Sequence, residues 1–159
     1  MDTYEHGRIA DYKNPYPLID EGFYNLQMVK ADVTKSPDGA DSSWERFNFR
    51  FRIVNDESFA GRVFFSTQFA SRVFMNGLYK VSEATGVEQG DEETVEEYVQ
   101  TLVNSGDAGV FKARVVQKLD KFHSTPETVN ADGTVSPAVE AFENDVKLST
   151  AQIADPFVS

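Results

Sequence analysis

From Arg46 to Ile53 the chain alternates without a break: Phe47, Phe49, Phe51 and Ile53 fall on one side, Arg46, Asn48, Arg50 and Arg52 on the other. A period of two is that of a β-strand with one face in a core and one in water. A slip of one residue would carry four large apolar side chains into solvent and three guanidiniums into the core. The segment is therefore a half-buried strand whose register is strongly fixed.

The neighbouring segments supply its partners. Phe23, Asn25, Gln27, Val29 and Ala31 alternate with Tyr24, Leu26, Met28 and Lys30, which predicts a first strand starting at Gly22. Ser36-Pro37-Asp38-Gly39 then provides turn chemistry. Asn55-Asp56-Glu57-Ser58 reverses the chain into a third strand over 59–65. Ala70, Val73, Phe74, Gly77, Leu78, Val81 and Ala84 recur at helical spacing, with Gly86 placed to end that helix. Val95, Tyr98, Val99 and Leu102 form a second helical stripe behind Asp91, Glu92 and Glu93, where a helix dipole favours anions. Phe111, Ala113 and Val115 alternate with Lys112, Arg114 and Val116 in a fourth strand. Val146 and Leu148 mark a fifth, after a polar connection that turns at Asn130-Ala131-Asp132-Gly133.

Three strands, a helical insertion and two strands make a mainly β, α+β chain. This is the order of a five-stranded OB-like Greek-key barrel with its helix between strands 3 and 4. A β-sandwich or another α+β sheet would also accommodate the pattern. The 159 residues fit one domain. A Tyr- and Pro-rich arm covers residues 1–21, the OB-like domain 22–150 and a mobile tail 151–159. No apolar run reaches the roughly 18 residues of a membrane span. The opening residues do not resemble a secretory leader. The expected location is intracellular, in the cytoplasm.

Charge narrows the chemistry. With 26 acidic against 15 basic residues the net charge is -11, which disfavours nonspecific adhesion to nucleic acid or anionic lipid. An anionic partner must then be held by a local patch. The absence of cysteine excludes a thiolate nucleophile and a Cys-containing zinc site. His6 and His123 have no ligand-like partner at helical spacing, and no phosphate-cradling glycine loop occurs. No catalytic site, metal or cofactor is expected.

Within that acidic chain the charges are sorted. Residues 44–72 carry five basic side chains against three acidic ones, whereas 83–107 hold eight acids and no Lys or Arg. Arg46, Arg50 and Arg52 project together away from the phenylalanine face. If strand 3 runs beside strand 2 with Arg62 and Phe64 outward and Val63 and Phe65 inward, the basic strip gains an aromatic ring. Lys112, Arg114, Lys118 and Lys121 extend it, while Trp44 and Tyr24 are further stacking candidates. Cations that neutralise phosphates and rings that stack on unpaired bases are what single-stranded nucleic acid requires. Outward arginines also serve as ordinary solubilising groups on an exposed strand, and Trp44 and Tyr24 also fit as packed aromatics.

The segments around Gly22-Phe23-Tyr24, Phe47-Asn48-Phe49-Arg50-Phe51-Arg52-Ile53, Gly61-Arg62-Val63-Phe64 and Ala84-Thr85-Gly86 resemble a family of small phage-encoded proteins, over roughly residues 20–150. Its members are regarded as single-stranded DNA-binding or replication and recombination accessory proteins. The resemblance implies a non-enzymatic chain that coats single-stranded DNA with little sequence preference. The ending Asp155-Pro156-Phe157 echoes the Pro-Phe tips with which many single-strand binding proteins dock partners, although two residues follow and only Asp155 is acidic. Phage or host replication and recombination proteins would be those partners. The oligomeric state stays open, a homodimer included. A second reading makes residues 83–107 an acidic docking face of a protein-interaction module or inhibitor, and a third is a metal-dependent nuclease.

Overall fold

A computed structural model describes residues 18–120 and 124–156. Strands β1 (Gly22–Lys35), β2 (Glu45–Val54) and β3 (Val63–Phe69) form an antiparallel meander. Helices α1 (Arg72–Thr85) and α2 (Val95–Asn104) and a 3-10 turn (Gly106–Gly109) lead to β4 (Phe111–Leu119). A small hairpin, β5 (Thr128–Val129) with β6 (Val135–Ser136), precedes β7 (Phe142–Ile153). The long strands form one antiparallel sheet in the order β3-β2-β1-β4-β7.

The phenylalanine side of β2 is the floor of the core. Phe47, Phe49, Phe51 and Ile53 are all buried, and Phe51 meets the rings of Phe49, Phe64 and Phe111 at centroid distances of 5.5, 5.8 and 6.2 Å. Helix α1 covers this face with Phe74, Leu78 and Val81, its Phe74 ring 4.7 Å from that of Phe47. Helix α2 adds Tyr98, Val99 and Leu102 and packs against β1. Among the described residues no helix packs on the opposite face of the sheet.

Local signals set the helix ends. Ser71 accepts from the Phe74 amide at 3.1 Å, and Gly86 closes α1 at φ 76 with its N–H on the Ser82 carbonyl. Thr94 and Glu97 form a reciprocal capping box at the start of α2. Where α1 crosses β7, a Cβ on Gly77 would lie 2.6 Å from the Leu148 Cβ and 3.2 Å from its carbonyl carbon. Gly77→Ala is therefore expected to destabilise. Overpacking costs about 1–3 kcal/mol, of which the better helix propensity of alanine returns about 1 kcal/mol. A urea melt with a lowered midpoint and an unchanged slope is the expected observation.

The bounds of β3, the phase of β1 and the end of the last strand differ from the sequence reading. Residues 59–62 belong to the turn before β3, with Gly61 at φ 83, and the strand runs on to Phe69. Strand β1 holds a bulge between Met28 and Lys30, so Tyr24, Leu26 and Met28 point inward before it and Ala31 and Val33 after it. The expected tail from residue 151 is also shorter, because β7 continues to Ile153.

No backbone ladder joins the edge strands, so the sheet is open and not a closed barrel. Side chains bridge the gap instead. Ser66 on β3 donates to Asp145 on β7 at 2.5 Å, the short end of the range for a hydroxyl bound to a carboxylate. Gln68 donates to the Val146 carbonyl at 2.8 Å. One residue before Asp145 on the same strand, Asn144 bonds through its side chain to both the N–H and the C=O of the fully buried Ile19. Among the described residues no helix is long and apolar enough to cross a membrane.

Candidate nucleic-acid interface

The face of β2 and β3 turned away from α1 and α2 presents Arg46, Asn48, Arg50 and Arg52 opposite Phe69, Thr67, Phe65 and Val63 respectively. Ladder pairing makes each arginine the direct neighbour of an apolar side chain. The Arg50 guanidinium lies 4.9 Å from the centroid of Phe65. The Arg46 guanidinium lies 5.9 Å from the Trp44 ring, which meets Phe69 edge-on at 6.0 Å. Four strand residues separate the two cation–aromatic groups, roughly 13 Å along β2. The outcome is a row of positive charges interleaved with rings.

Among the described residues none of Arg46, Arg50 and Arg52 forms an ion pair. The Nε atoms of Arg46 and Arg50 are shielded from water and lack a hydrogen-bond partner among the described residues. An unmade buried bond costs about 1–3 kcal/mol, a cost the fold carries at both arginines. Arg62 stands in the turn at the Arg52 end of the row, its guanidinium 5.9 Å from the Phe59 ring.

The facing expected for β3 is reversed. Phe64 is 3% exposed and packs on Phe51, whereas Phe65 is 46% exposed beside Arg50. The pairing of Phe51 with Phe64 and of Arg50 with Phe65 imposes this parity. Phe64 is thus a core residue, and Phe65 takes the surface place assigned to it. Phe69, 57% exposed, is a second ring that the sequence reading missed. Tyr24 is likewise buried, with its hydroxyl donating to the Asp20 carbonyl at 2.6 Å. Burial pushes that phenol's pKa up, and the nearby Asp20 and Asp56 add to the effect. Trp44 keeps its place at the head of the row.

Cations on β4 divide into two kinds. Lys112 is paired with Asp155 at 3.1 Å, and Lys118 with Glu143 and Asp145 at 3.7 and 3.4 Å. Arg114, between them, forms no ion pair with a described residue. Asp155 and Pro156 are held against the sheet. Asp155 accepts from the Asn25 amide group at 3.3 Å and donates its N–H to the Asn25 Oδ1 at 2.8 Å, while Asn55 donates to the Pro156 carbonyl at 3.1 Å. Phe157, Lys121, His6, His123 and the arm up to residue 17 lie outside the described residues.

The bond to Lys112, then that to Asn25, holds the Asp155 carboxyl below the usual carboxylate range. A lowered pKa stabilises the contact fully above the unfolded value, about 3.9, and the contribution disappears as pH falls through the depressed folded value. Exchange protection of the Asp155 amide is expected to follow this course. Lys112→Ala should move its loss to higher pH, and an unmoved profile would assign the shift to another group.

Several acids of residues 83–107 serve the fold locally. Glu97 closes the capping box, and its bond from the Thr94 backbone lowers its pKa. Glu93 accepts from the Thr101 hydroxyl at 2.8 Å, and Glu96 and Glu83 face Lys35 and Lys80, each at 3.9 Å. Compared with family models, curated proteins and solved structures, the chain shows no match.

Proposed function

We propose that this chain is a non-enzymatic, OB-like module that binds single-stranded DNA with little sequence preference, serving phage replication or recombination in the host cytoplasm. The observation that carries the reading is the β2–β3 row, where Arg46 and Arg50 each lie over a partly exposed ring and none of Arg46, Arg50 and Arg52 is neutralised by a described carboxylate. Two further features support it. The strand order and the helices between β3 and β4 suit an OB-like barrel left open at one seam. In that architecture the second and third strands form the oligonucleotide-binding face.

The division of labour follows from the chemistry. Guanidiniums neutralise phosphates and release counterions, while Phe65, Phe69 and Trp44 offer planes to unpaired bases. Bases of any identity have a π-face, which accounts for weak sequence preference. A mobility-shift titration with oligothymidylate at low salt tests this reading. Binding is expected, and Arg50→Ala plus Arg52→Ala should reduce the slope of log affinity against log salt by about 1.4, two phosphates at roughly 0.7 each. Absence of any shift, or a double variant with the wild-type slope, overturns it.

A further inference from the structure

A second cationic row crosses the same face at the other end of the sheet. Phe23 on β1 pairs with Arg114 on β4, and Arg114 pairs on its other side with Lys147 on β7. All three are exposed, Phe23 by 48%. Like charges directly opposite across an antiparallel pair are destabilising. The chain is rich in carboxylates, yet neither Arg114 nor Lys147 is ion-paired with a described one. The flanking acids are engaged elsewhere: Asp155 by Lys112 and Asn25, Asp145 by Lys118 and Ser66. Among the described residues two cations, neither of them ion-paired, thus stand beside one exposed ring.

We infer that Phe23, Arg114 and Lys147 form a second contact for the same nucleic-acid strand, a phosphate held between the two cations and a base on the Phe23 ring. This rests on the single-strand reading of the β2–β3 row. Gln27 pairs with Arg52 on one side of β1, and four residues earlier Phe23 pairs with Arg114 on the other. The rows are therefore separated by two strand spacings and four residues along β1, roughly 10 Å by 13 Å. A strand of a few nucleotides reaches one row, and a longer strand reaches both.

Length dependence tests the inference. Fluorescence anisotropy would compare thymidylates of about 4 and about 15 nucleotides, the range of site sizes for one such module, on wild type and on Arg114→Ala plus Lys147→Ala. The variant should bind the long strand about 10-fold more weakly, with a salt slope smaller by about 1.4, and the short strand within about 2-fold of wild type. Arg114→Lys should restore the slope, which separates charge from any effect on folding. Photo-crosslinking of a long oligonucleotide bearing 5-iodouracil should label Phe23, and the short one should not. Wild-type long-strand affinity in the double variant, equal losses at both lengths, or no Phe23 label overturns the second contact while leaving the first row standing. Failure of wild type to bind either strand removes both.

Discussion

Phe65→Ala is expected to weaken binding of a single-stranded oligonucleotide by about 5- to 150-fold while leaving the protein folded. The estimate is the loss of one stacked base, about 1–3 kcal/mol. The ring is half exposed, so its removal costs about 1 kcal/mol of stability at most from lost apolar burial. Arg50 loses its ring partner in the same substitution but keeps its charge, so the salt dependence should change little while affinity falls. An anisotropy titration paired with a urea melt separates the two quantities. Unchanged affinity in a well-folded Phe65→Ala protein would remove the ring from the interface.

The neighbouring residue should behave in the opposite way. Phe64→Ala empties a site against Phe51 at the centre of the core, and such truncations cost about 3–5 kcal/mol. Small domains have only about 5–15 kcal/mol in total, so the urea midpoint should fall steeply. Binding per folded molecule should stay near wild type, because the outward row is untouched. A mild melt for Phe64→Ala together with a severe one for Phe65→Ala would reverse the parity of β3.

That pair also shows what a linear sequence conveys. Strand β2 was legible because large apolar and polar side chains alternate from Arg46 to Ile53, and only one facing keeps the arginines wet. Val63, Phe64 and Phe65 are three consecutive apolar residues, so periodicity allows either parity, and the ladder partner decides. Starting the strand at residue 59 set the wrong phase, since Gly61 turns the chain. Phe23 and Phe69 were overlooked for related reasons. The former sits beside Tyr24 in a strand whose bulge shifts the pattern, and the latter directly precedes the stripe read as helix. The helices were readable from their spacing and from Gly86.

Pairings between distant segments were not legible at all. Lys112 was assigned to the basic strip on its residue type, yet the structure joins it to Asp155, 43 residues later. Arg114 and Lys147 become neighbours only through the β4–β7 ladder. Local alternation predicts which way a side chain faces, but only the register says what stands next to it.

Intrinsic fluorescence offers the most direct test, because the chain contains a single tryptophan and Trp44 heads the Arg46 end of the row. Titration with oligothymidylate should quench its emission saturably, and added salt should restore it as the phosphates leave. Emission that stays constant while anisotropy reports full binding, or that stays constant with no binding, would contradict the placement of single-stranded DNA on this face.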